Sequence, residues 1–90
     1  MSDLHLSIYD YWVARNPNTP PETLILLAKD KNYNVRWRVA QNPNTPPETL
    51  ALMAKDENSY VRSWVARNPN TPQYVKDYLT VRNFMENYGS

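Results

Sequence analysis

One eight-residue phrase occurs three times in this chain, and few features constrain a fold more. Val13-Ala14-Arg15-Asn16-Pro17-Asn18-Thr19-Pro20 recurs as Val39 to Pro46, with Gln41 for the arginine, and as Val65 to Pro72, at an offset of 26 residues each time. Between Val13–Arg36 and Val39–Arg62 three-quarters of positions are identical. A fixed period of this length signals stacked supersecondary units, each too small to bury its apolar side alone.

Each unit parses into two helices. Leu24, Leu27, Ala28 and Leu50, Met53, Ala54 fall at helical spacing and define an A helix. Thr19-Pro20-Pro21-Glu22 and Thr45-Pro46-Pro47-Glu48 read as capping boxes that start it, with Pro20 and Pro46 at the first helical position. After a polar break, Val35, Val39, Ala40 and Val61, Val65, Ala66 define a B helix of about two turns, α or partly 3₁₀. Asn42-Pro43 and Asn68-Pro69 end it, because a residue before proline avoids the α region. Helices this short do not persist alone in water, so stacking must hold them. The expected architecture is a single all-α domain: a short right-handed α-solenoid of about three repeats. Residues 1–16 form an N-terminal half-repeat, 17–42 and 43–68 two repeats, and 69–90 a C-terminal cap helix.

The ends depart from the period. Asp10 stands where Arg36 and Arg62 stand in later units. The last A helix is replaced by a longer segment, Tyr74–Tyr88, with Val75, Tyr78 and Leu79 as its apolar set, and Phe84 and Met85 are placed to fold back on the final repeat.

From Val35 to Asp56 the chain reads Val-Arg-x-x-Val-Ala-x-Asn-Pro-x-Thr-Pro-x-x-x-Leu-x-x-Met-Ala-x-Asp. This pattern resembles the leucine-rich repeat variant family, with Met53 in place of a leucine, and partial copies extend the likeness over most of the chain. The resemblance implies alternating α and 3₁₀ helices in a right-handed superhelix, distantly related to HEAT-like repeats, which act mostly as protein-binding scaffolds. One member of that family is linked to an iron–sulfur cluster through a separate cysteine-bearing segment. This chain has no cysteine, so that chemistry does not carry over, and no cofactor is expected.

Composition narrows function by exclusion. Without cysteine there is no disulfide, thiolate nucleophile or thiolate-bound metal. A net charge of +1 gives no bulk attraction to nucleic acid or membranes. Met1–Leu6 has neither the basic start nor the apolar run of a secretory signal, so a soluble, cytoplasmic protein is expected. His5 is the one histidine, and no nucleophile–base pair or metal set assembles around it. A non-enzymatic role follows.

Two sets of side chains stand out. Asp30 and Asp56 precede Arg36 and Arg62 by six residues. A charge so near the core must be paired, so these four are expected to form a structural Asp–Arg ladder. On the outward side of the B helices, Ile8, Asn34, Tyr60 and Arg15, Gln41, Arg67 form two columns at the 26-residue offset, flanked by Trp12, Arg38, Trp64 and by Tyr11, Trp37, Ser63. Aromatics and arginines dominate interface hot spots. Tyr11, Trp12, Arg15, Trp37, Arg38, Gln41, Tyr60, Trp64 and Arg67 are therefore the candidate contact residues. Against this stands burial between helices, expected for Trp12 and Trp64, with Trp37 partly exposed. The Asn–Pro repeats read as turn chemistry alone. An unknown protein partner is the leading expectation. Nucleic-acid binding through the same arginines and tryptophans is the alternative, no membrane association is expected, and the array ends are candidates for self-association.

Overall fold

The computed structural model describes the backbone of residues 3–88 and the side chains of 8–88. His5 lies outside the described side chains. Six α-helices follow one another: α1 (Asp3–Arg15), α2 (Pro21–Leu27), α3 (Tyr33–Gln41), α4 (Pro47–Met53), α5 (Ser59–Arg67) and α6 (Gln73–Tyr88). The fold is all-helical among the described residues, with α1, α3 and α5 as B helices side by side and α2, α4 and α6 as A helices laid against them. The result is a short repeat stack of 43 × 26 × 14 Å.

The core is the seam between the two layers. Leu24, Val35, Val39, Leu50, Val61 and Val65 are fully buried, and Ala14, Ala40, Met53, Val75 and Leu79 complete it. Full burial of each branched side chain contributes about 2 kcal/mol, which is what holds helices of seven to nine residues that would melt in isolation. None of the described helices is long and apolar enough to cross a membrane.

The capping boxes are not formed. Thr45 Oγ1 donates back to Val39 O at 2.7 Å and Thr71 Oγ1 to Val65 O at 2.6 Å; Thr19 does the same to Val13 O. The N-caps are Pro20 and Pro46 in extended conformation, without a side-chain cap, and Pro21 and Pro47 hold the first helical position. Each A helix starts one residue later than a capping box requires, α6 after Thr71-Pro72-Gln73 included, and the threonine hydroxyl adds a second bond to a B-helix carbonyl that already accepts from the asparagine cap, as Val39 O does from Asn42 N. Glu22 and Glu48 remain exposed in the first turn, where their charge suits the helix dipole.

The B helices are α throughout, not the 3₁₀ elements the resemblance implied. Bonds of the i→i−3 kind occur only at helix ends, as at Asn42 N to Val39 O. Asn32 Oδ1 caps α3 through Asn34 N, and Asn58 Oδ1 caps α5 through Tyr60 N and Val61 N. Phe84 and Met85 do not fold back. No Asn–Pro break interrupts α6, so it runs straight to Tyr88 and leaves both exposed.

The Asn–Pro repeats do more than turn the chain. Asn42 Nδ2 donates to Ala14 O and Asn16 O, and Asn68 Nδ2 to Ala40 O and Asn42 O. Their Oδ1 atoms accept from Asn44 N and Asn70 N and close the turns. One amide thus shapes its own loop and stitches it to the repeat before.

Candidate functional site

Of the expected Asp–Arg ladder one carboxylate pair is present, Arg36 with Asp56, in a different register from the one the six-residue spacing suggests. Arg36 does not take the Asp30 carboxylate. Its Nε and Nη2 reach Asp56 Oδ2 and Oδ1, at 2.8 and 3.1 Å, one repeat further on. Nη1 donates to the carbonyls of Asp30 and Lys31. Asp56 Oδ1 also accepts from Asn58 N, opening α5. A bidentate pair at this depth satisfies a charge that would otherwise be untenable. Arg62 likewise donates to Asp56 O through Nη1 rather than to the Asp56 carboxylate, and its Nη2 lies 3.4 Å from Glu86 Oε1.

The ladder is broken at both ends. At the arginine position of the first unit stands Asp10, which faces Asp30; burial, and then the neighbouring Asp30 carboxylate, push its carboxyl above the ordinary 3.8. At the aspartate position of the last stands Arg82, paired with Glu86 at 2.9 Å. The Arg82 hydrogen bond holds the Glu86 carboxyl below its ordinary value.

All nine candidate contact residues come together on the side of α1, α3 and α5. They form one interleaved row rather than four separate columns. The Arg15 guanidinium lies 5.2 Å from the Trp12 ring centre, and Trp12 meets Tyr11 edge-on at 5.6 Å. Arg38 donates twice to Tyr11 Oη and once to Gln41 Oε1, with its guanidinium 4.0 Å from the Trp37 ring centre. Trp37 stacks on Trp64 at 5.7 Å and 21°, Tyr60 meets both edge-on, and Arg67 closes the row 5.3 Å from Trp64. Each cation–π contact contributes about 0.5–1 kcal/mol where water has access. Their larger effect is to hold the guanidiniums against flat surfaces.

Burial along the row departs from expectation at one tryptophan. Trp12 is 57% exposed, because no described residue stacks outside α1; Trp37 and Trp64 are half-buried against the core. Trp64 Nε1 is buried with no hydrogen-bond partner among the described residues, a cost that phenylalanine would avoid. Electrostatically the row is one-sided. Among the described residues every ion pair involves Arg36, Arg62 or Arg82, so Arg15, Arg38 and Arg67 face solvent and rings with no carboxylate partner.

Two further surfaces lie outside the candidate contact residues. Leu26, Leu52 and Tyr78, each 26 residues apart, are exposed on the A helices; Leu52 borders shallow grooves of about 260 and 350 Å³, and Tyr78 the second of them. The repeat itself carried that signal, in a column off the apolar stripe. A groove of about 360 Å³ between α5 and α6 gathers Arg62, Arg67 and Arg82 with Glu86. Among the described residues no cluster of His, Asp and Glu has the arrangement of a metal site.

Compared with known protein families, residues 34–83, more than half of the chain, match the Leucine Rich Repeat Variant domain. None of the curated proteins or solved structures compared with the chain matches it.

Proposed function

The chain belongs to the leucine-rich repeat variant family, a non-catalytic helical repeat family implicated in protein interaction, and from that premise we propose that it is a binding module whose contact surface is the aromatic–arginine row of α1, α3 and α5. The observation that carries this reading is the row's charge. Three guanidiniums, held on or beside aromatic rings, have no carboxylate of their own. A protein segment presenting carboxylates beside apolar side chains complements that surface, giving charge-assisted hydrogen bonds and aromatic contact together.

The same observation supports a second reading, single-stranded nucleic acid. Rings accept stacked bases and arginines take phosphates. The two separate by measurement. Capture of partners on the immobilised protein, followed by mass spectrometry, is repeated with Arg15→Ala plus Tyr60→Ala, both exposed positions, after circular dichroism has shown the helices intact. Binding through the row predicts that a partner bound by the wild type is lost from the double variant; a partner retained unchanged sinks this surface. In parallel, labelled single-stranded oligonucleotides are titrated at low salt. Binding that falls steeply with added salt supports nucleic acid, and no binding at low salt eliminates it.

A further inference from the structure

Among the described residues, the outer side of α5 borders an open groove and the outer side of α1 carries contact groups without a partner. Within the molecule, α3 meets α5 through a fixed set of contacts. Arg36 bonds Asp56, Trp37 stacks on Trp64, and the carbonyl of Ala40 receives Asn68 Nδ2. One repeat on, the corresponding residues of α5 are Arg62, Ser63 and Ala66, and these form one wall of the groove whose other wall is Leu79 to Glu86 of α6, with Glu86 reaching Arg62. Ala40 is wholly buried, whereas Ala66 is exposed. No described asparagine side chain reaches the Ala66 carbonyl.

The opposite end shows the complementary deficit. Asn42 and Asn68 are each 3% exposed, because their amides enter the repeat before them. Asn16, the same residue one unit earlier, is exposed, and its Nδ2 has no partner among the described residues. Beside it on α1 lie Ile8 and Trp12, at 55% and 57% exposure, in the places that Tyr60 and Trp64 hold on α5.

We propose that copies of this chain associate head to tail, the outer side of α1 in one copy seating on the outer side of α5 in another. The incoming helix is itself a B helix, so the contact repeats the α3–α5 packing already present in the molecule. Asn16 Nδ2 then meets the carbonyls of Ala66 and Asn68, the bonds that Asn68 makes to Ala40 and Asn42. Charge favours the same pairing. Between Met1 and Asp30, Asp3, Asp10, Glu22 and Asp30 outnumber Arg15 and Lys29; between Ser59 and Tyr88, Arg62, Arg67, Lys76 and Arg82 outnumber Asp77 and Glu86. An acidic unit is brought against a basic one. The interface is heterologous and does not close on itself, so it generates a series of oligomers rather than a dimer.

Sedimentation velocity from about 10 µM to about 1 mM tests this, a range suited to a small, reversible interface. The expected result is a weight-average mass that climbs with concentration past that of a dimer and falls back in high salt. A monomer across the whole range overturns the proposal, with no variant needed. Two exposed substitutions then check the geometry. Ile8→Glu spoils the outer side of α1 and Ala66→Arg blocks the outer side of α5, and circular dichroism establishes that each still folds. Each variant alone is expected to stay monomeric, while an equimolar mixture forms a one-to-one dimer and nothing larger, because one intact α1 side and one intact α5 side remain. Oligomers of either variant matching the wild type, or a mixture that stays monomeric, would overturn it.

Discussion

Asp10, Arg36 and Arg62 occupy one position in three successive units, and the chemistry of that position changes along the stack. At Arg36 a guanidinium bridges Asp56 and two carbonyls. At Asp10 a carboxylate faces Asp30, so the first link is a repulsion where the second is an ion pair. Because the folded state raises the Asp10 carboxyl, it holds that proton more tightly than the unfolded chain does. Its contribution to stability is therefore full below the ordinary value of 3.8 and is lost as pH rises through the raised one. Asp10→Arg should stabilise the protein at neutral pH by about 1 kcal/mol, the scale of a partly solvated ion pair. Asp10→Asn should differ little from wild type at low pH and become the more stable as pH rises. Urea denaturation at several pH values measures both. A variant–wild-type difference that does not change with pH would mean that Asp10 and Asp30 do not interact.

At the scale of the element, the threonines decide how an A helix begins. The Thr-Pro-Pro-Glu spelling fits a capping box, yet the hydroxyl turns back to close the B helix before it. The two arrangements predict opposite sensitivities. Thr45 is fully buried, so Thr45→Val should cost about 1 kcal/mol by removing one of the two bonds that Val39 O accepts, the other being from Asn42 N. Glu48→Ala should stay within about 0.5 kcal/mol, as exposed substitutions do. Urea midpoints showing the reverse ranking would restore the capping box. The helices themselves were legible in the sequence, since the inward set Val35, Arg36, Val39 and Ala40 follows from a hundred degrees per residue. The capping mode was not, because the same four letters satisfy both geometries. What chooses between them is the neighbouring B-helix terminus, a tertiary feature. Arg36 is a similar case. Sequence proximity pointed to Asp30, while stacking brings Asp56 closer.

For the whole molecule, the 26-residue period made the stack readable and also placed the candidate contact residues on one side of it. All nine residues singled out on the B helices share one row because translation by a repeat preserves their side. How they interleave was hidden, since Arg38 spans from Tyr11 to Trp37 across units and no pattern within one unit records that. The exposed Leu26–Leu52–Tyr78 column lies off the helical stripe that marks the buried side of the same helices, so the apolar periodicity does not report it. In a stack of this kind each unit touches only its neighbours, so stability is close to a sum of unit and interface contributions. Inserting a second copy of Pro43–Asn68 directly after Asn68 keeps every junction intact. The ladder continues through a second Arg–Asp pair, the asparagine stitch gains one repeat, and the α6 cap still meets a B helix ending in Arg-Asn. The longer protein should gain about 1–4 kcal/mol, at the stability per residue usual for folded domains. Its denaturant slope should rise by roughly a quarter to a third, with the added surface, and the transition should stay single. A second transition, or a midpoint below that of the natural chain, would show that the interfaces between units are not interchangeable, and that the repeat in sequence is not a repeat in energy.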